Sequence, residues 1–146
     1  MKNGFIFWQK WLFVVSLAIP LFGIGMVFFS GTQSFEVFHR QIDPAFWQTA
    51  PAGNNIRLFQ GWVYGVWGAT LAGWGVFLAF IAAFPFRARE KWAWNCMTAG
   101  LLLWYLLDTG VSLAYGVIFN VGVNSILLIL AGLPVAFTHK YFSRPQ

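Results

Sequence analysis

Asp108 is the residue of this chain best placed to do chemistry. It lies in an apolar stretch from Trp92 to Phe137 that contains no other charge. A carboxylate at that depth is costly in hydrocarbon, so it is expected to face the protein interior or a water-filled cavity. Candidate partners recur at helical spacing. Ser112 follows Asp108 by four residues, and Asn120 and Asn124 are again four apart. Residues so spaced share one face of a helix. If the chain folds back about Tyr115-Gly116, Ser112 comes level with Asn120 and Asp108 with Asn124. These two rungs then lie one and two turns below the membrane surface, at about 1.5 Å per residue. Tyr64 is expected to bring a hydroxyl nearby. A carboxylate faced by two amides and a hydroxyl suits a counter-ion or proton-carrying site with orienting donors. The plainer role is interhelical hydrogen bonding, worth about 0.6 kcal/mol on average and up to about 1.7.

Other chemistries find little support. The only carboxylates are Glu36, Asp43, Glu90 and Asp108. Asp43 reads as a helix cap and Glu90 as a surface partner of the basic run Arg87–Lys91, which leaves no carboxylate pair for acid–base work. The motifs HExxH, GxSxG and GxxxxGK[ST] are absent, so the chain leans away from an enzyme. No metal site and no cofactor is expected. His39 and His139 fall on opposite sides of the bilayer, and three spaced ligands are missing. His39, Arg40 and Asp43 could form a small solvated cluster. A single cysteine, Cys96, excludes an internal disulfide and a thiol relay. It reads as a small packing residue.

The elements that must position these residues are membrane spans. Hydrophobic residues make up 59% of the 146-residue chain and charged ones 9%, against about 25% charged in a soluble domain. Too little polar surface is left for a water-soluble shell. Four segments have the roughly 20 apolar residues a crossing needs: 11–29, 59–84, 92–114 and 117–137. The expected fold is therefore an all-α, four-helix transmembrane bundle forming a single domain. The first segment is too long for a secretory signal and is followed by a poor cleavage site.

Lys2, Lys10, Arg87, Arg89, Lys91, Lys140 and Arg144 fall on one side of such a bundle, and only Arg40 and Arg57 on the other. The positive-inside bias puts both termini in the cytoplasm. So strong a bias, with no Glu in the first span, sets the chain apart from dual-topology multidrug exporters. The basic residues form no patch, so the net charge of +5 does not imply nucleic acid. Trp8, Trp11, Trp92 and Trp94 are expected at the inner headgroup level, and Trp47, Trp62 and Tyr115 at the outer one.

Three further expectations concern packing. Gly61, Gly65, Gly68 and Ala72 form a small-residue seam on the second span, for packing within the bundle or for a homodimer. Pro20 should kink the first span. In the outer loop, Asp43-Pro44 reads as an N-cap and first helical position. It opens a short interfacial helix through Ala50 that could close over the polar site, and Gly53-Asn54-Asn55 is a turn.

The leading functional expectation is an outward-facing binding site made by Asp108, Ser112, Asn120, Asn124 and Tyr64. Its ligand would be a small hydrophobic or cationic molecule, a lipid, or a partner helix. A proton-coupled small transporter is a second reading, weakened because Asn95 and Thr98 are the few polar candidates for an inner pathway. An accessory or assembly subunit of a larger membrane complex is a third. Small size and short loops suggest a bacterial inner membrane.

Overall fold

The computed structural model describes residues 2–47 and 53–142, and every regular element among them is helical. Four helices are long and apolar enough to cross a membrane. They are α1 (Lys2–Phe29), α4 (Asn54–Ala83), α5 (Lys91–Ala114) and α6 (Ile118–Thr138). Between α1 and α4 come a 3₁₀ turn (Gln33–Phe35) and two short helices, α2 (Glu36–Ile42) and α3 (Pro44–Trp47). A last 3₁₀ turn, His139–Tyr141, follows α6. A chain this apolar must satisfy its backbone groups internally, which a helix does within each segment.

Several boundaries differ from expectation. The helix that carries the first expected span begins at Lys2, ahead of Trp11, and its early turns continue the same helical face. Phe5, Gln9, Leu12 and Ser16 are all buried along it, and Gln9 Nε2 donates to the Ala82 carbonyl at 2.9 Å. The second span starts at Asn54. Gly53 alone is its extended N-cap, and its carbonyl takes the amides of Ile56 and Arg57. Asn54 and Asn55 are already helical.

The helices do not close a symmetric ring. α1 packs along α4 and also along α6, α5 packs on α6, and α4 and α5 hardly meet. The small-residue seam lies where α1 crosses α4, one turn further along than expected. A Cβ on Gly23 would fall 2.5 Å from the Gly68 carbonyl oxygen and 2.6 Å from the Ala72 amide. One on Gly75 would fall 2.3 Å from Pro20 Cδ. Gly61 and Gly65 leave room for a side chain, since a Cβ on either meets nothing within 4 Å, and the Gly61 carbonyl accepts from Ser30 Oγ at 3.2 Å. Pro20, inside an unbroken α1, thus provides the surface that Gly75 accommodates.

A second proline, Pro134, lies inside α6. It has no N–H to give the Leu130 carbonyl, and the Trp11 indole N–H donates to that carbonyl instead, at 2.9 Å. Trp94 likewise donates to Val135 at 2.8 Å, while the indole of Trp92 bonds to the Glu90 carboxylate. Cys96 is exposed rather than packed.

The end of the bundle that carries both termini is filled. Phe5, Leu12, Phe86, Met97 and Phe142 form its buried core, and the rings of Phe86 and Phe142 lie 4.9 Å apart. The opposite end, under the connection between α1 and α4, has a smaller core of Met26, Phe35 and Tyr64. α2 forms there because Phe35, Phe38, His39 and Ile42 recur at helical spacing and turn one face inward.

Asp43 directly precedes α3, which opens at Pro44 as expected, but its side chain does not make the cap. Its backbone is helical, closing α2, and its own carbonyl receives the amides of Phe46 and Trp47. Its carboxylate instead pairs with Arg57 at 2.9 Å and accepts from Gln60 Nε2 at 2.7 Å. The helix begun at Pro44 is described to Trp47; the expected continuation to Ala50 lies outside the described residues.

Candidate functional site

The hairpin between α5 and α6 sets the site. α5 ends at Ala114, and Gly116 takes a φ of +72°, a left-handed angle that residues with a Cβ rarely adopt. The amide of Val117 reaches back to the Ser112 carbonyl at 2.8 Å, a tight C-terminal cap. This turn brings the two polar rungs face to face.

Asn120 Nδ2 donates to Ser112 Oγ at 2.8 Å and to Asp108 Oδ1 at 2.6 Å. Asn124 Nδ2 donates to the same Oδ1 at 2.8 Å and to Thr109 Oγ1 at 3.3 Å. Ser112 Oγ lies 3.4 Å from Oδ1 and donates to the Asp108 carbonyl at 2.7 Å. One carboxylate oxygen therefore collects amide donors from two side chains, Asn120 and Asn124, with the Ser112 hydroxyl close by. Its twin, Oδ2, and the amide oxygens of Asn120 and Asn124 accept nothing from the described residues and are not sealed from the surface. Among the described residues Asp108 has no cationic partner: both ion pairs there belong to Arg57, with Asp43 and Glu36.

The cluster forms part of the wall of a cavity of about 290 Å³ inside the bundle. Asp108, Asn120 and Asn124 are its polar lining, together with Tyr64; the rest is apolar or indole, from α1, α2, α4, α5 and α6. A second hollow, a cleft of about 450 Å³, opens on the side where α4 and α5 hardly meet. The two share Ile42, Tyr64, Trp67, Asp108 and Asn120. At the loop end, the rings of Phe46 and Tyr115 on the cleft wall approach to 6.0 Å.

Asp108, Ser112, Asn120 and Asn124 are thus in mutual contact. Tyr64 lines both hollows but makes no hydrogen bond to the cluster. Its ring lies 5.5 Å from His39 and 6.1 Å from Phe35. His39 is not solvated: it is 6% exposed, with Nδ1 buried and unpartnered, while Arg40 is exposed and Asp43 pairs with Arg57. No group of three metal-ligating side chains occurs among the described residues.

Sequence reasoning missed two parts of the site. Thr109, buried beside Asp108, receives the second amide hydrogen of Asn124. The indoles of Trp67, Trp74 and Trp104 line the cavity. A signal for the latter was present, because Tyr64, Trp67, Leu71 and Trp74 are spaced 3, 4 and 3 along α4. That stripe runs beside the Gly68–Ala72–Gly75 stripe, and only packing shows which of them meets α1. In comparisons with known proteins, no family model, no curated protein and no solved structure matches this chain.

Proposed function

We propose that this chain is a multi-pass membrane protein that binds a small ligand at the Asp108 cluster, in the outward half of the bilayer. Both termini lie in the cytoplasm, as the distribution of Lys and Arg requires, and a bacterial inner membrane is the setting. α2 and α3 then lie at the outer interface. The observation that carries the reading is unspent acceptor capacity on a cavity wall. Oδ2 and two amide oxygens have no donor among the described residues, yet they belong to residues that line the hollow. A cluster serving only as glue between α5 and α6 has no need of that hollow beside it.

Native mass spectrometry of protein gently extracted from its own membrane tests this, with wild type and Asp108→Asn side by side. A small-molecule adduct on wild type that is lost from the variant supports the site. Bare, equally stable protein in both samples would reduce the cluster to a structural crosslink. The open flank between α4 and α5 favours one other reading, an accessory subunit whose partner lays a helix there, and a stoichiometric co-purifying polypeptide would point to it. Transport by a proton-coupled carrier would require the core of Leu12, Phe86 and Met97 to part.

A further inference from the structure

Resting on that binding reading, we propose that the ligand is a single-tailed amphiphile with a cationic, hydrogen-bond-donating head, taken up sideways from the outer leaflet between α4 and α5. The head follows from which hydrogen-bonding groups are used and which are free. Both amide hydrogens of Asn120 and both of Asn124 are committed, and Ser112 donates to the Asp108 carbonyl. Within the cluster, what remains is acceptors: Asp108 Oδ2 and two amide oxygens. An anion or a pure acceptor would find no free donor in the cluster and would face the Asp108 carboxylate; the donors of the wall, the Tyr64 hydroxyl and the indoles, lie outside it. A protonated amine offers up to three N–H groups to those oxygens, and its positive charge supplies the counter-ion that Asp108 lacks among the described residues.

The tail follows from the shape of the hollow. Below the polar rungs the lining runs down α6 from Asn124 to Ala131 and meets Val15 and Ile19 of α1. The rise along the helix from Asn124 to Ala131 gives about 10 Å of apolar depth. At about 290 Å³ the hollow lies at the small end of ligand pockets, roughly 300–1,000 Å³, which suits one hydrocarbon chain rather than two. The route follows from the cleft. Its rim includes Leu107 and Val111, side chains that are 62% and 59% exposed on the flank of α5. Its floor is Asp108 and Asn120. The Phe46 and Tyr115 rings meet on its wall at the loop end, and the route proposed is the flank that faces lipid.

The test uses the full-length protein in nanodiscs and three twelve-carbon probes: dodecylammonium, dodecanol and dodecanoate. Binding is read as 1:1 adducts by native mass spectrometry and as competition with any co-extracted ligand. Dodecylammonium is expected to bind wild type at least tenfold more tightly than the other two, a ranking that needs no variant to fold. Asp108→Asn is expected to erase that preference. Leu107→Trp, which narrows the cleft without touching the cluster, is expected to slow association several-fold while leaving the head preference intact. Equal binding of the three heads, or a preference for dodecanoate, overturns the cationic assignment. Unchanged association in Leu107→Trp overturns the lateral route. If wild type carries a co-extracted ligand that Asp108→Asn loses but dodecylammonium does not displace, the binding reading stands and this one falls. If no probe and no native ligand binds, both fall.

Discussion

Asn124 has the clearest consequence at the scale of single residues. It is 2% exposed, and its amide hydrogens go to Asp108 and Thr109 across the α5–α6 contact. Asn124→Leu removes both bonds and leaves the carboxylate short of a donor. Interhelical hydrogen bonds in membranes reach about 1.7 kcal/mol, so the expected destabilisation is about 1–2 kcal/mol, measurable by reversible unfolding in detergent. His39 should behave in the opposite way. Its Nδ1 is buried without a partner, and such an orphan costs roughly 1–3 kcal/mol. His39→Phe keeps the ring against Tyr64 and removes the orphan, so it is expected to leave stability unchanged or raise it. A clear loss of stability would mean that Nδ1 has a partner in the protein.

Among the helices, α4 offers a controlled comparison. Gly68 and Gly65 are three residues apart in one span, yet only Gly68 touches α1. Its added Cβ would lie 2.5 Å from the Gly23 carbonyl oxygen. Gly68→Ala must push α1 and α4 apart, an overpacking cost of about 1–3 kcal/mol. Gly65→Ala meets nothing within 4 Å and is expected to be neutral or stabilising by up to about 1 kcal/mol through helix propensity. Thermal unfolding of the two variants would separate them, and equal effects would place the α1–α4 crossing elsewhere. In α6, Pro134 and Trp11 are coupled through one carbonyl. Trp11→Phe should destabilise by about 1 kcal/mol. The same change in a Pro134→Ala background should cost much less, because residue 134 then has an N–H for Leu130. A double-mutant cycle reads that coupling directly.

For the molecule as a whole, the two ends differ in filling and in charge. The terminal end has the sealed aromatic core and most of the basic residues, including Arg89, whose guanidinium lies 4.6 Å over the Phe5 ring. The loop end has the hollow and the Asp43–Arg57 pair. The proposed orientation predicts that, in a Cys96→Ala background, Arg40→Cys reacts with an impermeant maleimide added to intact cells and Arg87→Cys reacts only after lysis. The reverse pattern would invert the topology and move the Asp108 cluster to the cytoplasmic half.

Much of this was legible in the sequence, for identifiable reasons. Lipid forbids unsatisfied backbone, so apolar length alone located the four long helices. Gly116 marked the turn, and a hairpin about a known turn has one register. The pairing of Ser112 with Asn120 and of Asp108 with Asn124 therefore followed from counting residues. Other features depended on contacts between segments distant in the chain. Asp43 looked like a cap because its local sequence suits one, yet Arg57 and Gln60 from α4 take its carboxylate. Gly61 and Gly65 share the seam's face but not its tight α1 contact, because spacing identifies a face but not the height at which another helix crosses it. The cavity, the near-separation of α4 from α5 and the free acceptors on Asp108 and the two asparagines are properties of the space between helices, and only the tertiary packing decided them.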